Sequence, residues 1–113
     1  MTELGKILMV DDEPNVLAGY RRQLRGQIAL STAQTGLDGL EKLKDKGPYA
    51  VVISDLKMPG MDGIEFLSEV RQNFPSSVRM MLTGHADLQT AIEAVNRGHI
   101  FRLLMKPCPI DDL

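Results

Sequence analysis

Short apolar runs alternate with amphipathic segments along the 113 residues of the chain. The run Ile7–Val10 is apolar at every position, which is typical of a strand buried on both faces of a sheet. Similar runs predict four more strands, at residues 28–30, 50–53, 78–82 and 100–105. The spacing between the runs leaves room for a helix after each of the first four strands.

Apolar residues recur at helical spacing in the four intervening segments. The stripes consist of Val16, Leu17, Tyr20 and Leu24, then Leu37, Leu40 and Leu43, then Ile64, Leu67 and Val70, and finally Leu88, Ala91, Ile92 and Val95. Pro14 suits the first turn of the first helix, and Asp62 is the expected N-cap of the third. The expected stops are Gly26, Gly47-Pro48, Pro75 and Gly98.

Strands that alternate with helices predict a parallel sheet with right-handed crossovers and helices on both faces. A chain of 113 residues is expected to form one domain, here residues 1–113. Residues 109–113 resemble the start of a fifth helix that is cut short. We therefore expect the native chain to continue.

Composition and charge disfavour several classes of protein. Hydrophobic residues make up 43% and charged residues 25%, as in ordinary globular domains, and the net charge of −2 gives no reason to expect nucleic-acid binding. No apolar stretch is long enough to span a membrane, and the N-terminus lacks the layout of a signal peptide. Cys108 is the single cysteine, so an internal disulfide is excluded and a cytoplasmic location is expected.

Polar side chains follow four of the predicted strands, where ligands bind in open α/β sheets. They are Asp11 and Asp12 after the first strand, Asp55 after the third, Thr83 and Gly84 after the fourth, and Lys106 after the fifth. Taken singly, each has an ordinary explanation as a helix cap, a turn residue or a surface lysine. Their convergence on one edge of the sheet predicts a site.

Three neighbouring carboxylates repel one another. Two like charges about 4 Å apart cost on the order of 4 kcal/mol at an effective dielectric constant of roughly 20, so the group favours a bound cation. Hard oxygen ligands in an open site favour Mg²⁺, which would also screen an incoming phosphoryl group. Lys106, Thr83 and the Gly84 N–H are suited to phosphate. The predicted chemistry is a carboxylate that becomes an aspartyl phosphate.

These residues lie in motifs similar to those of the receiver domain of bacterial two-component response regulators. The motifs are VDDEP at residues 10–14, DLKMPGMDG at 55–63, LTGH at 82–85 and KP at 106–107. The resemblance covers nearly the whole chain. It implies a flavodoxin-like, doubly wound α/β fold with a five-stranded parallel sheet in the order 2-1-3-4-5.

The resemblance also implies roles for single residues. Asp55 would accept a phosphoryl group, and Asp12, Asp55 and the backbone carbonyl of Lys57 would bind Mg²⁺, with Asp11 acting through metal-bound water. Thr83, Gly84 and Lys106 would hold the phosphate, and the Lys106–Pro107 peptide would be cis. Lys57 and His85 would tune the rate at which water removes the phosphoryl group.

One position departs from the family pattern. Receiver domains usually place Tyr or Phe three residues before the lysine, where this chain has Leu103. Phe101 lies two residues earlier, on the same face of the predicted strand. We expect the Thr83 loop still to move on phosphorylation, with Leu103 repacking and Phe101 contributing to the switch.

The implied function is a signalling switch rather than an enzyme, apart from its own phosphorylation and dephosphorylation. The implied partners are a sensor histidine kinase or phosphotransfer protein and an output domain of the HD-type phosphohydrolase or another class. A homodimer formed on phosphorylation is a further expectation.

Two other functions share part of this chemistry or of this fold. One is a Mg²⁺-dependent phosphatase of the haloacid-dehalogenase type with Asp11 as nucleophile, for which Glu13 is an imperfect second acid. The other is a nucleotide or flavin carrier, which the acidic loop without glycine after the first strand disfavours.

Overall fold

The structure, a computed structural model, describes residues 6–24, 29–84, 87–96 and 102–105. Strands and helices alternate along these residues. The strands are β1 (Ile7–Val10), β2 (Leu30–Ala33), β3 (Val51–Asp55), β4 (Val78–Thr83) and β5 (Arg102–Met105). The helices are α1 (Pro14–Leu24), α2 (Gly36–Lys46), α3 (Gly63–Asn73) and α4 (Leu88–Asn96).

The strands form one parallel sheet in the order β2-β1-β3-β4-β5, which confirms the predicted topology. In the register, Val10 lies opposite Ser54, and Asp55 lies opposite Leu82. The order of the strands reverses between β1 and β3, because the chain moves outward to β2 before it returns to β3. The crevice at the carboxyl ends of β1 and β3 is therefore where a doubly wound fold places its ligand.

Two apolar clusters cover the two faces of the sheet. One contains Leu8, Val52 and Met81 from the strands, packed against side chains of α2, α3 and α4 such as Leu43 and Phe66. The other contains Met9, Ile53, Leu82 and Leu104, with Leu17 of α1 packed against them. Successive strand residues thus alternate between the two clusters, as a strand buried on both faces requires.

Two helix boundaries follow the signals in the sequence. Thr35 caps α2 by accepting a hydrogen bond from the Asp38 N–H at 3.0 Å. At the start of α3, Asp62 accepts from the Glu65 N–H at 2.8 Å, and the Glu65 side chain accepts from the Asp62 N–H at 3.4 Å. This capping box confirms the predicted N-cap. The helices α2 and α3 end before Gly47 and Pro75, as expected.

The second strand lies later than predicted. The apolar residues 28–30 suggested a strand there, but β2 runs from Leu30 to Ala33 and pairs with β1 from Ile7↔Leu30 onward. This edge strand pairs only with β1, so its position follows from that register rather than from continuous apolar character. Its half-buried positions, which include Ser31 and Thr32, gave no apolar signal.

The apolar stripes predicted for α2 and α4 are only partly buried. Leu37 is 67% exposed, whereas Leu43 is buried and Leu40 packs against the core as predicted. The other buried positions of α2 are Gly36 and Gly39. A methyl group at Gly39 would lie 2.9 Å from the Phe66 ring, so only glycine allows α2 this close to α3. On α4, Ile92 is 38% exposed, whereas Ala91 and Ala94 are buried.

Two predicted helix ends, Gly26 and Gly98, lie outside the described residues. The predicted start of a fifth helix at residues 109–113 also lies outside them. Among the described helices, none combines the length and the apolar character that crossing a membrane would require.

Candidate functional site

Asp11 and Asp12 follow directly after the last residue of β1. The Asp11 N–H donates to the carbonyl of Ala33 at 3.0 Å, which continues the β1–β2 ladder by one bond. Its carboxylate accepts the Glu13 N–H at 2.9 Å and is 1% exposed. Asp12 is half-buried. The first acid is therefore fixed inside the sheet edge, and the second faces the opening.

Asp55 is the last residue of β3 and is 8% exposed. The predicted strand ended at residue 53, but the ladder continues through Asp55, which lies opposite Leu82. The start of α3 packs directly against this strand end. The Gly63 N–H donates to the carbonyl of Leu56 at 2.7 Å, and a methyl group at Gly63 would overlap the Asp55 carbonyl oxygen and lie 2.9 Å from the Leu56 Cα. The backbone around Asp55 is thus held by the β3–β4 ladder and by the start of α3.

The predicted trio of acids is brought together. One carboxylate oxygen from each of Asp11, Asp12 and Asp55 lies within 4.8 Å of the others. At that separation each pair of charges repels by about 3.5 kcal/mol at an effective dielectric constant near 20. The donors are all hard carboxylate oxygens, and the half-buried Asp12 leaves the group open to water. This donor set and opening suit Mg²⁺, which retains several water ligands when protein carboxylates bind it.

Thr83 ends β4, the strand next to Asp55, and is 1% exposed. Its hydroxyl donates to the Gly84 carbonyl at 3.4 Å, which is a long hydrogen bond. The position beside the acid trio is the predicted one, although the strand includes Thr83 instead of ending at Leu82. Leu103 is half-buried on β5, opposite Met81, and packs against the cluster beneath α2, α3 and α4.

A groove of about 470 Å³ opens beside the acids. It is lined by Asp12, Lys57, Met58, Pro59, Gly60 and Asp62. Gly60 has a φ of +76°, a left-handed conformation that strongly favours glycine and turns the loop around the groove. The groove therefore lies between the end of β1 and the loop that follows β3.

Lys57 forms an ion pair with Asp87 across the opening, with Nζ and Oδ1 3.2 Å apart. This contact joins the β3–α3 loop to the residue that precedes α4. Lys57 was a predicted site residue but Asp87 was not, because the contact joins two loops that are distant in the chain and no periodic pattern indicates such a pair. Three predicted site residues, His85, Phe101 and Lys106, lie outside the described residues, as does the Lys106–Pro107 peptide.

Known proteins are similar to this chain in sequence. The sequence model of the response regulator receiver domain family matches residues 7–113. The hydrogenase transcriptional regulatory protein HoxA of Cupriavidus necator is 35% identical over 107 residues, which are 95% of this chain and 22% of that protein. The chain spans about a quarter of the length of the curated relatives it matches.

Solved structures agree in fold. The adenylate cyclase from Rhodopirellula baltica superposes with a TM-score of 0.90 at 42% identity, over 96% of this chain and 80% of that one. The signal receiver domain of an HD domain-containing protein from Pseudomonas fluorescens Pf-5 gives 0.84 at 33% identity, over 93% and 84%. With the acid trio, the parallel sheet and the family match in agreement, the chain belongs to the response regulator receiver domain family of two-component systems.

Proposed function

We propose that Asp55 accepts a phosphoryl group and that the domain is a phosphorylation-dependent switch. The observation that carries this proposal is the approach of the Asp11, Asp12 and Asp55 carboxylate oxygens to within 4.8 Å of one another. Of the two buried acids, Asp55 is the more exposed, at 8% against 1% for Asp11. It is therefore the better placed to meet a phosphoryl donor.

The donor set fits Mg²⁺. Asp12, Asp55 and the backbone carbonyl of Lys57 would be direct ligands, and Asp11 would act through metal-bound water. A bound Mg²⁺ supplies positive charge that offsets the carboxylates and lets an anionic phosphoryl group approach. The contribution of the chain is to hold the three acids in place, since Asp11 is tied to the Glu13 N–H and Asp55 belongs to the β3 ladder.

The transfer itself is a displacement at phosphorus. A carboxylate oxygen of Asp55 forms a bond to phosphorus, while the bond to the donor nitrogen of a phosphohistidine breaks and the imidazole leaves with the electron pair. Thr83, Gly84 and Lys106 would then hold the phosphoryl oxygens. The long 3.4 Å bond from the Thr83 hydroxyl to the Gly84 carbonyl is weak enough to exchange for a bond to phosphate.

The partners follow from the family and stay proposals for this chain. The phosphoryl donor is a sensor histidine kinase or a phosphotransfer protein. The output is carried by a further domain, of the HD-type phosphohydrolase or another class; the Pseudomonas fluorescens neighbour belongs to an HD domain-containing protein. We further propose a cytoplasmic signalling domain without enzymatic activity on other substrates, without direct nucleic-acid or membrane contacts, and able to dimerise on phosphorylation.

Phosphorylation with acetyl phosphate tests the proposal. The wild type should incorporate phosphoryl groups with Mg²⁺ and fail to do so with excess EDTA. Asp55→Asn should abolish incorporation, whereas Asp45→Asn, the same change at an exposed position near the end of α2, should leave it unchanged. Incorporation that survives in Asp55→Asn and disappears in Asp11→Asn would instead support the phosphatase chemistry.

A further inference from the structure

Lys57 supplies the positive charge in the groove beside the acids. Of the six residues that line the groove, all within the described chain, Lys57 is the one cation, and Asp12 and Asp62 are acids. A small phosphoryl donor is an anion, so the electrostatic attraction at the entrance depends on where the Lys57 ammonium lies. The position of this side chain is therefore relevant to the rate of phosphorylation.

The ammonium is held by a residue that does not line the groove. The Asp87 Oδ1 lies 3.2 Å from the Lys57 Nζ, and Asp87 directly precedes α4. The Asp87 side chain is 24% exposed, against 78% for that of Lys57. The backbone of Asp87 is also anchored, because its N–H donates to the Gly84 carbonyl at 3.2 Å. Asp87 is thus the fixed member of the pair, and Lys57 is the adjustable one.

The ion pair is well suited to reversible contact. Exposed ion pairs are weak, because water screens the charges and a long side chain loses freedom when it is held. Another ion pair between described residues, Lys42–Asp38 at 4.0 Å, lies within α2. The Lys57–Asp87 pair is the described ion pair that joins the loop after Asp55 to the start of α4.

We propose that Asp87 is a positioning residue for Lys57. It keeps the ammonium on the α4 side of the groove and so restrains its attraction for an anionic phosphoryl donor. Once Asp55 carries a phosphoryl group, the added negative charge competes with Asp87 for the ammonium and releases the start of α4. This inference rests on Asp55 being the phosphoacceptor, as proposed above.

The test is the initial rate of phosphorylation by acetyl phosphate, below saturation, at low and high salt. Asp87→Asn should raise the rate about two- to fivefold at low salt, the effect expected of one exposed ion pair. The increase should vanish near 1 M salt, where the Debye length is about 3 Å. Asp87→Glu, which keeps the charge, should restore the wild-type rate. Glu93→Gln, the same loss of charge at an exposed position of α4, should leave the rate unchanged.

A double variant shows whether Asp87 acts through Lys57. Lys57→Met should lower the rate, and Lys57→Met/Asp87→Asn should match Lys57→Met alone. Three results would overturn the proposal: an unchanged rate in Asp87→Asn, an increase that persists at high salt, or an equal increase in the Lys57→Met background. If the wild type carries no phosphoryl group on Asp55, the proposed function is overturned as well. If the wild type is phosphorylated on Asp55 but Asp87→Asn has the same rate, only the positioning role of Asp87 is overturned.

Discussion

Neutralising one member of the acid trio should stabilise the metal-free domain. In Asp12→Asn the side chain keeps its size but loses its charge, and with it the repulsion from Asp11 and Asp55. The structure places these oxygens within 4.8 Å, where each pair costs about 3.5 kcal/mol at an effective dielectric constant near 20. Because Asp12 is half-buried and partly screened, we expect a net gain of about 1–3 kcal/mol in the free energy of unfolding.

Urea unfolding with EDTA and with Mg²⁺ measures this gain. With a slope of ~2 kcal/mol per molar urea, the midpoint of Asp12→Asn in EDTA should lie about 0.5–1.5 M above that of the wild type. Mg²⁺ at ten times its Kd should stabilise the wild type by about 1.4 kcal/mol and the variant much less. Mg²⁺ therefore narrows the difference in stability between the two proteins by up to about 1.4 kcal/mol, and removes it where the gain of Asp12→Asn lies at the low end of the expected range.

The control for charge alone is Asp45→Asn, at an exposed position near the end of α2. It should change the free energy of unfolding by no more than a few tenths of a kcal/mol and keep the full response to Mg²⁺. A metal-free Asp12→Asn that is less stable than the wild type would refute the repulsion argument. An equal response of both proteins to Mg²⁺ would refute the assignment of Asp12 as a ligand.

Three further outcomes are expected. Gly63→Ala should lose about 1–3 kcal/mol of stability, because its methyl group overlaps the Asp55 carbonyl oxygen. Gly19→Ala should gain about 0.5–1 kcal/mol, because nothing lies within 4 Å of the new methyl group. Urea unfolding of both variants tests the difference. Asp62→Ala should cost about 1 kcal/mol through loss of the capping box, and an unchanged midpoint would contradict the role of the cap. Crystal structures with and without beryllofluoride should show repacking of Leu103 together with movement of the loop at residues 83–87, and an identical loop in both would refute the proposed switch.

Much of the sheet edge could be predicted because parallel strands end at a shared edge. Apolar runs precede Asp11 and Asp55, so their side chains are expected to converge, and the structure brings them together with Asp12. Thr83 is buried at the end of β4, the strand next to β3. The strand ends were less certain, since the β3 and β4 ladders include the polar Asp55 and Thr83 themselves. A polar residue after an apolar run does not show whether the backbone hydrogen bonds stop there.

The features that could not be predicted depend on loop conformation and close packing. The displacement of β2 and the exposure of Leu37 on α2 both follow from tertiary contacts, since α2 approaches α3 through Gly39, which is buried against Phe66. The Lys57–Asp87 ion pair joins two loops and leaves no periodic signal in the chain. The assignments of His85, Phe101 and Lys106 remain predictions from sequence.

The most direct test of the account is to map the phosphoryl group after reaction with acetyl phosphate and Mg²⁺. Peptide mass spectrometry of the trapped acyl phosphate separates the peptide that contains Asp55 from the one that contains Asp11 and Asp12. The account predicts the modification on Asp55 alone, and its disappearance when EDTA removes the divalent cation. A phosphoryl group found on Asp11, or incorporated equally well in EDTA, would contradict the claim that the three acids form a cation-dependent phosphoacceptor site.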